Sequence, residues 1–172
     1  MDLGDILSPE QISPEMKASN RWEAIDELID QLVVSSKIKA EHREAITAVV
    51  KKRETSMSTG IGFGIGIPHA STDLIGEVVG ALGRSKKGVN FDSLDNQPVS
   101  LVVLFLVPQG QFQKHLHTLA KIAKLLHKKE FRRSWKVPWM PSRCTASSSA
   151  SRGSKPAREW RPRLMGPLQR RK

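Results

Sequence analysis

The sequence predicts a layered α/β domain, and three observations carry that prediction. Two segments in the first third of the chain repeat apolar residues at helical spacing. The run PVSLVVLFLVP, residues 98–108, is apolar on both faces, as a central strand covered from both sides must be. A third helical repeat follows it directly. Helices, then strands, then a helix around one fully buried strand make a layered arrangement. The chain has 172 residues, enough for one domain with a real core and too few for two ordinary ones.

The opening DILSPEQISPEM holds two Ser-Pro pairs and reads as an extended arm with turns. A helix follows, with Asn20 as its N-cap and Glu23 completing a capping box. Trp22, Ile25, Leu28, Ile29, Leu32 and Val33 give it one apolar stripe. A second helix, about residues 40–52, lines up Ala45, Ile46, Val49 and Val50 and ends in the basic group Lys51, Lys52 and Arg53. The segment STGIGFGIGIPHA (58–70) sets glycine at every second position from Gly60 to Gly66, with Ile61, Phe63, Ile65 and Ile67 between. Side chains alternate across a strand, so this pattern predicts one strand with a bare face, stopped at Pro68 and His69. GEVVGALGRSKKGVNF is strand-like and interrupted by Gly80, Gly83 and Gly88. After the buried strand, a third helix is expected from about Phe112 to Lys128.

Past Arg133 the character changes. Residues 134–172 carry Pro, Ser and Arg with no period of 3.6 or 2.0, three of the four tryptophans, and the single Cys144. Such a segment buries too little apolar surface to offset its ordering entropy and is expected to be disordered or loosely attached. The formal charge of +11 also sits there. Residues 1–131 hold 16 Lys+Arg and 16 Asp+Glu, whereas 132–172 hold 12 Lys+Arg and one Glu. The neutral core gives no support to a basic nucleic-acid face, and no specific nucleic acid is expected. No stretch reaches the roughly 18–20 apolar residues of a membrane span, and nothing at the N-terminus resembles a signal peptide, so a cytoplasmic protein is expected. One cysteine makes neither a disulfide framework nor a thiolate metal site.

Familiar nucleotide signatures are absent. The glycines fall at strict two-residue steps, so there is no G-x-G-x-x-G, and no Lys-Ser/Thr follows as in a P-loop. On spacing alone His69 is either an ordinary structural histidine or one that carries chemistry as nucleophile or general base. Pro68 fixes its own φ and restricts Ile67 to extended geometry, which seats His69 on rigid backbone. On the third helix, at ~100° per residue, His115 falls within about 40° of Leu119, Ile122 and Leu126. His117 falls with Lys121, Lys124 and Lys128. His115 is therefore expected to face the sheet and His117 the solvent. His127, on the apolar arc, and His42, on the apolar side of the second helix, are expected to serve packing.

Two stretches carry a family resemblance: RETSMSTGIGFGIGIPHA (53–70) and KHLHTLAKIAKLL (114–126). Together they resemble the type-2 enzyme IIA domain of the bacterial phosphoenolpyruvate-dependent phosphotransferase system, the fructose/mannitol and nitrogen-regulatory class. LGDILSPEQI and AIDELIDQLV are similar to that family too, and the likeness covers about residues 2–133. It implies a small mixed sheet flanked by helices, the mannitol-type IIA fold. It also implies a phosphotransferase component, a phosphoryl carrier with neither cofactor nor metal. By this resemblance His69 matches the phosphorylated histidine, which receives its group from the phosphocarrier HPr. His115 matches the second active-site histidine and Arg53 the arginine of the RE pair. Ser58, Thr59 and Gly60 are the residues expected around the phosphate. The onward acceptor is a IIB domain, or else the phosphorylation state signals to a regulatory target.

Two departures from the family stand out. Gly66 occupies a position where the family usually has alanine, which is expected only to loosen the strand. Beyond KKEFRR the family's closing helix has no counterpart, so the domain is drawn as 1–133 and the remainder, 134–172, as a basic tail of frameshifted or unrelated origin. Loss of that helix is expected to leave apolar surface bare on the sheet or on the third helix. A rival reading is a non-catalytic binding module whose tail meets nucleic acid or acidic surfaces. The neutral core and the intact His69, Arg53 and His115 weigh against it.

Overall fold

A computed structural model describes residues 3–136. The opening arm is more regular than expected: a short helix α1 (Leu3–Ile6), a 3₁₀ turn (Pro9–Gln11) and strand β1 (Ile12–Ser13). Gln11 ties this arm down. Its buried amide donates to the carbonyls of Ile6 (3.0 Å) and Gly80 (2.6 Å) and accepts from the Ser8 N–H and hydroxyl. Helix α2 (Arg21–Val34) starts at Asn20, whose side chain accepts from the N–H groups of Trp22 and Glu23, both at 3.0 Å. The return bond of the capping box lands one residue early, because the Glu23 carboxylate takes the N–H and hydroxyl of Ser19.

Helix α3 (Arg43–Ser56) follows a 3₁₀ turn at Ala40–His42. Its buried face is Ile46, Thr47, Val50 and Glu54, rotated from the expected stripe: Ala45 and Val49 are exposed. His42 is half-buried beside Glu41. Strands β2 (Gly60–Gly62), β3 (Ile65–Gly66), β4 (His69–Thr72), β5 (Val79–Val89) and β6 (Val99–Pro108) come next, then helices α4 (Phe112–His127) and α5 (Lys129–Lys136). The third helix thus ends one residue short of its expected limit. Helix α5 runs past the boundary drawn at Arg133, and the rest of the expected tail lies outside the described residues.

The sheet is mixed, in the order β1-β5-β6-β3-β2, with β4 also on β6. Strands β5 and β6 are antiparallel; β3 and β4 both run parallel to β6. As the apolar pattern predicts, β6 is central and buried from Leu101 to Pro108. Its alternate residues feed two cores. Val102, Leu104 and Leu106 meet α2 and α3 on one face; Leu101, Val103 and Phe105 lie with Ile122 and Leu126 of α4 on the other. Of the two places named for bare apolar surface, the sheet face under α4 is covered. On α4 itself Leu116 is 47% exposed. Among the described residues no helix is long and apolar enough to cross a membrane.

The glycine-rich segment departs most from its reading. It is not one strand with a bare face but a hairpin. Gly62, Phe63 and Gly64 all take positive φ (90°, 56° and 76°), which reverses the chain between β2 and β3. Phe63, at 63% exposed, is the non-glycine residue held in that left-handed turn. Gly60 is also required, since a Cβ there would meet the Ser93 Cα at 2.9 Å and its Oγ at 2.6 Å. Gly66 does more than loosen a strand. A Cβ at that position would lie 3.1 Å from the ring of the buried Phe91, so the absent methyl leaves room for that ring.

Candidate functional site

His69 does not end a strand; it opens β4, in line with β3 across a two-residue gap. Ile65 and Gly66 pair with Leu101 and Val102, and His69 to Thr72 pair with Phe105 to Pro108, so β3 and β4 keep one register along β6. The break between them is Pro68. Its carbonyl accepts from the Phe105 N–H at 3.0 Å, but proline has no N–H to return, and the ladder skips. Residues paired in a parallel ladder share a face, so His69 lies on the side of Phe105, which is the α4 side.

That placement explains its surroundings. The His69 ring stacks on Phe112, the first residue of α4, with centroids 6.1 Å apart and planes 20° apart. His115 is one turn further along the same helix, on the same side, and only 8% exposed. Its Nε2 lies 3.3 Å from the Gln111 Oε1. His117 is exposed, as the helical phase predicts. His127 is not a packing residue in the core: it is exposed, and its ring meets the edge of Phe63 at 5.3 Å. Arg53 stands at the C-terminal end of α3, half-buried, donating from one guanidinium nitrogen to the Met57 carbonyl at 3.2 Å.

The tautomer of His69 follows from one bond. Its Nδ1 is 2.9 Å from the Ile67 carbonyl, an acceptor only, so Nδ1 carries the proton and donates it. The Nε2 lone pair is left free. Burial pushes the His69 pKa below its ordinary value of 6.5; the Ile67 hydrogen bond pulls back, Arg53 lowers it further, and Glu54 raises it. The ring is therefore a neutral nucleophile that resists protonation in mildly acidic solution.

The residues around the glycine turn serve structure first. Thr59 donates its N–H (2.9 Å) and its hydroxyl (2.7 Å) to the two oxygens of Glu54. The Ser58 hydroxyl donates to the Phe91 carbonyl and accepts from the Gly60 N–H. Glu54 itself is 1% exposed and pairs with the Arg21 guanidinium at 3.7 Å. Phe112 carries no role in the sequence reading, although it precedes His115 by one helical turn. Glu54 appears there only as the partner of Arg53 in the RE pair, because its burial depends on Arg21 from the start of α2 as well as on nearby Thr59.

The pKa direction makes a testable statement. A histidine whose folded pKa is depressed is harder to protonate folded than unfolded, so its contribution to stability rises with pH up to about 6.5 and is flat above. An NMR titration of the imidazole signals should place the His69 midpoint below 6.5, and Arg53→Gln should move it upward. A wild-type midpoint at or above 6.5, or a downward move in the variant, would contradict the burial and charge argument.

Residues 5–137 match the family described as phosphoenolpyruvate-dependent sugar phosphotransferase system, EIIA 2. The chain is 34% identical over 131 residues to the "PTS system fructose-specific EIIA component" of Haloferax volcanii, covering 76% of this chain and 84% of that protein. Among solved structures it is similar to the nitrogen regulatory protein IIA-Ntr from Neisseria meningitidis, at 30% identity and a TM-score of 0.70 over 77% of this chain and 89% of that one. It shares its fold with the IIA enzyme in a complex of mannitol IIA and phosphorylated IIB from Escherichia coli, at 20% identity and a TM-score of 0.62 over 75% and 87% of the two chains.

Proposed function

We propose that His69 is the phosphoryl-accepting residue of this chain, which belongs to the EIIA 2 family of the phosphoenolpyruvate-dependent sugar phosphotransferase system. The observation that carries the assignment is the Nδ1–H bond to Ile67, which leaves Nε2 as the one nucleophilic nitrogen of a ring depressed in pKa. The Nε2 lone pair attacks phosphorus in the phosphohistidine of the donor, HPr. The donor's N–P bond breaks, its electron pair returns to the donor ring, and the new N–P bond forms on Nε2. The Nδ1 proton stays where it is, held by Ile67, so no base is needed. The product is a phosphoramidate, from which the group leaves again to a IIB domain or, in a regulatory version, marks the protein for a target.

In a loose transition state charge spreads over the three phosphoryl oxygens. Arg53 has donors beyond the one it gives to Met57, and His115 supplies a ring nitrogen from α4. Both act by pairing those oxygens. Ser58, Thr59 and Gly60 contribute by holding the backbone of the turn, since the Ser58 and Thr59 hydroxyls and the Gly60 N–H are already bonded inside the fold.

The test is phosphorylation of the full chain with enzyme I, HPr and labelled phosphoenolpyruvate. An acid-labile, base-stable adduct on the peptide containing His69 is expected. His115→Ala should slow uptake or release by about tenfold or more, on the scale of a lost transition-state contact, and His117→Ala should not. Label on a different residue would overturn the assignment, and equal defects in the two α4 variants at equal stability would overturn the role of His115.

A further inference from the structure

Glu54 has no role in the chemistry just described, yet it is a carboxylate buried to 1% exposure. Burying a charge is expensive unless it is paired and fully hydrogen-bonded. Glu54 is both: Arg21 faces it at 3.7 Å, and both its oxygens are bonded by Thr59. From Thr59 the connection continues through backbone. The Thr59 carbonyl accepts from the Ile67 N–H at 3.0 Å, and the Ile67 carbonyl accepts from the His69 Nδ1–H at 2.9 Å. Glu54 of α3, Thr59 and Ile67 in the loops that follow, and His69 of β4 thus form one unbroken connection ending on the imidazole.

We infer that Glu54 is a positioning residue, which through Thr59 and Ile67 fixes the carbonyl that selects the His69 tautomer and so leaves Nε2 free. The inference rests on the carrier reading above. Its physical content is that Ile67 precedes a proline and lies where the β6 ladder skips, so the ladder alone does not fix its carbonyl. The bond from Ile67 to Thr59 supplies that constraint, and Glu54 in turn holds Thr59 at both its N–H and its hydroxyl. A buried carboxylate is suited to the task because each of its two oxygens accepts from Thr59 while the Arg21 guanidinium balances its charge.

Two variants separate reach from charge. Glu54→Asp keeps the charge but withdraws the carboxylate by one methylene, away from Thr59. Glu54→Gln keeps the reach: its Oε1 accepts from the Thr59 N–H, and its amide donates to the Thr59 hydroxyl, which turns to accept. The readouts are the ¹⁵N shifts of the His69 ring, which report the tautomer, and the rate of labelling from phospho-HPr in the full chain. Wild type should show a single Nδ1-protonated form. Glu54→Asp should show a mixture of tautomers and at least tenfold slower labelling, the scale of a misplaced reacting group. Glu54→Gln should keep the wild-type tautomer and lose about threefold or less. A single tautomer and an unimpaired rate in Glu54→Asp, or a glutamine variant as damaged as the aspartate one, would overturn the inference. Wild-type protein that takes no label on His69 would sink the carrier reading instead, while the tautomer comparison still decides the role of Glu54.

Discussion

Replacement of His69 by alanine is expected to abolish phosphoryl uptake, with a loss on the order of 10³-fold or more, as removal of a covalent nucleophile produces. No neighbouring ring stands ready to substitute for it. His115 is buried with its Nε2 against Gln111, and His117 and His127 are exposed on α4. The effect should be one of chemistry rather than folding, because His69 is half-buried and its loss leaves the Pro68–Phe105 and Ile67–Thr59 backbone bonds in place. His69→Gln makes a closer control: its amide still donates to the Ile67 carbonyl but offers no nucleophilic nitrogen. Both variants should melt near wild type and take no label. If either retained a tenth of wild-type labelling, the acceptor would have to lie elsewhere.

What the sequence makes legible depends on whether a residue's surroundings are local. Helix α2 reads correctly because its cap and stripe are both set within fourteen residues, and β6 because a strand covered on two faces has no polar side to show. The phase of α4 separates His115 from His117 for the same reason. The glycine segment misleads because its two-residue spacing imitates a strand, while the feature that folds it is conformational. Phenylalanine at positive φ is disfavoured in isolation, so the hairpin turn at Phe63 cannot be anticipated from the residue type. His127 is misplaced as a consequence, since the ring it meets is at that turn. Helix α3 is rotated because it buries the polar Thr47 and, beyond the expected limit near residue 52, Glu54, which bonds Arg21 and Thr59; a stripe drawn from apolar residues alone counts neither. Recognition of His69, Arg53 and His115 comes from their resemblance to a family; the bond that frees Nε2 comes only from the fold.

Strand β6 allows stability and transfer to be separated within two adjacent residues. Leu104 and Phe105 are both fully buried and point to opposite faces, Leu104 toward α2 and α3 and Phe105 toward α4. Truncation of either leaves a cavity, at a loss of about 3 kcal/mol or more for a large apolar side chain, so Leu104→Ala and Phe105→Ala should both unfold at markedly lower urea concentration. Their effects on transfer should part company. Phe105 is the register partner of His69 on the same face, and its own N–H holds the Pro68 carbonyl. Without the benzyl group, the strand carrying His69 loses the wall it packs beside, and the imidazole is free to shift by a fraction of an ångström or more. Displacements of that order impair an in-line transfer by about tenfold or beyond. Leu104 has no such connection. At low temperature and without denaturant, where both variants remain folded by circular dichroism, Leu104→Ala should label from phospho-HPr at the wild-type rate and Phe105→Ala at least tenfold more slowly. Equal rates in the two variants would mean that the α4 face does not hold the histidine in place, and that His69 is positioned by its backbone bonds alone.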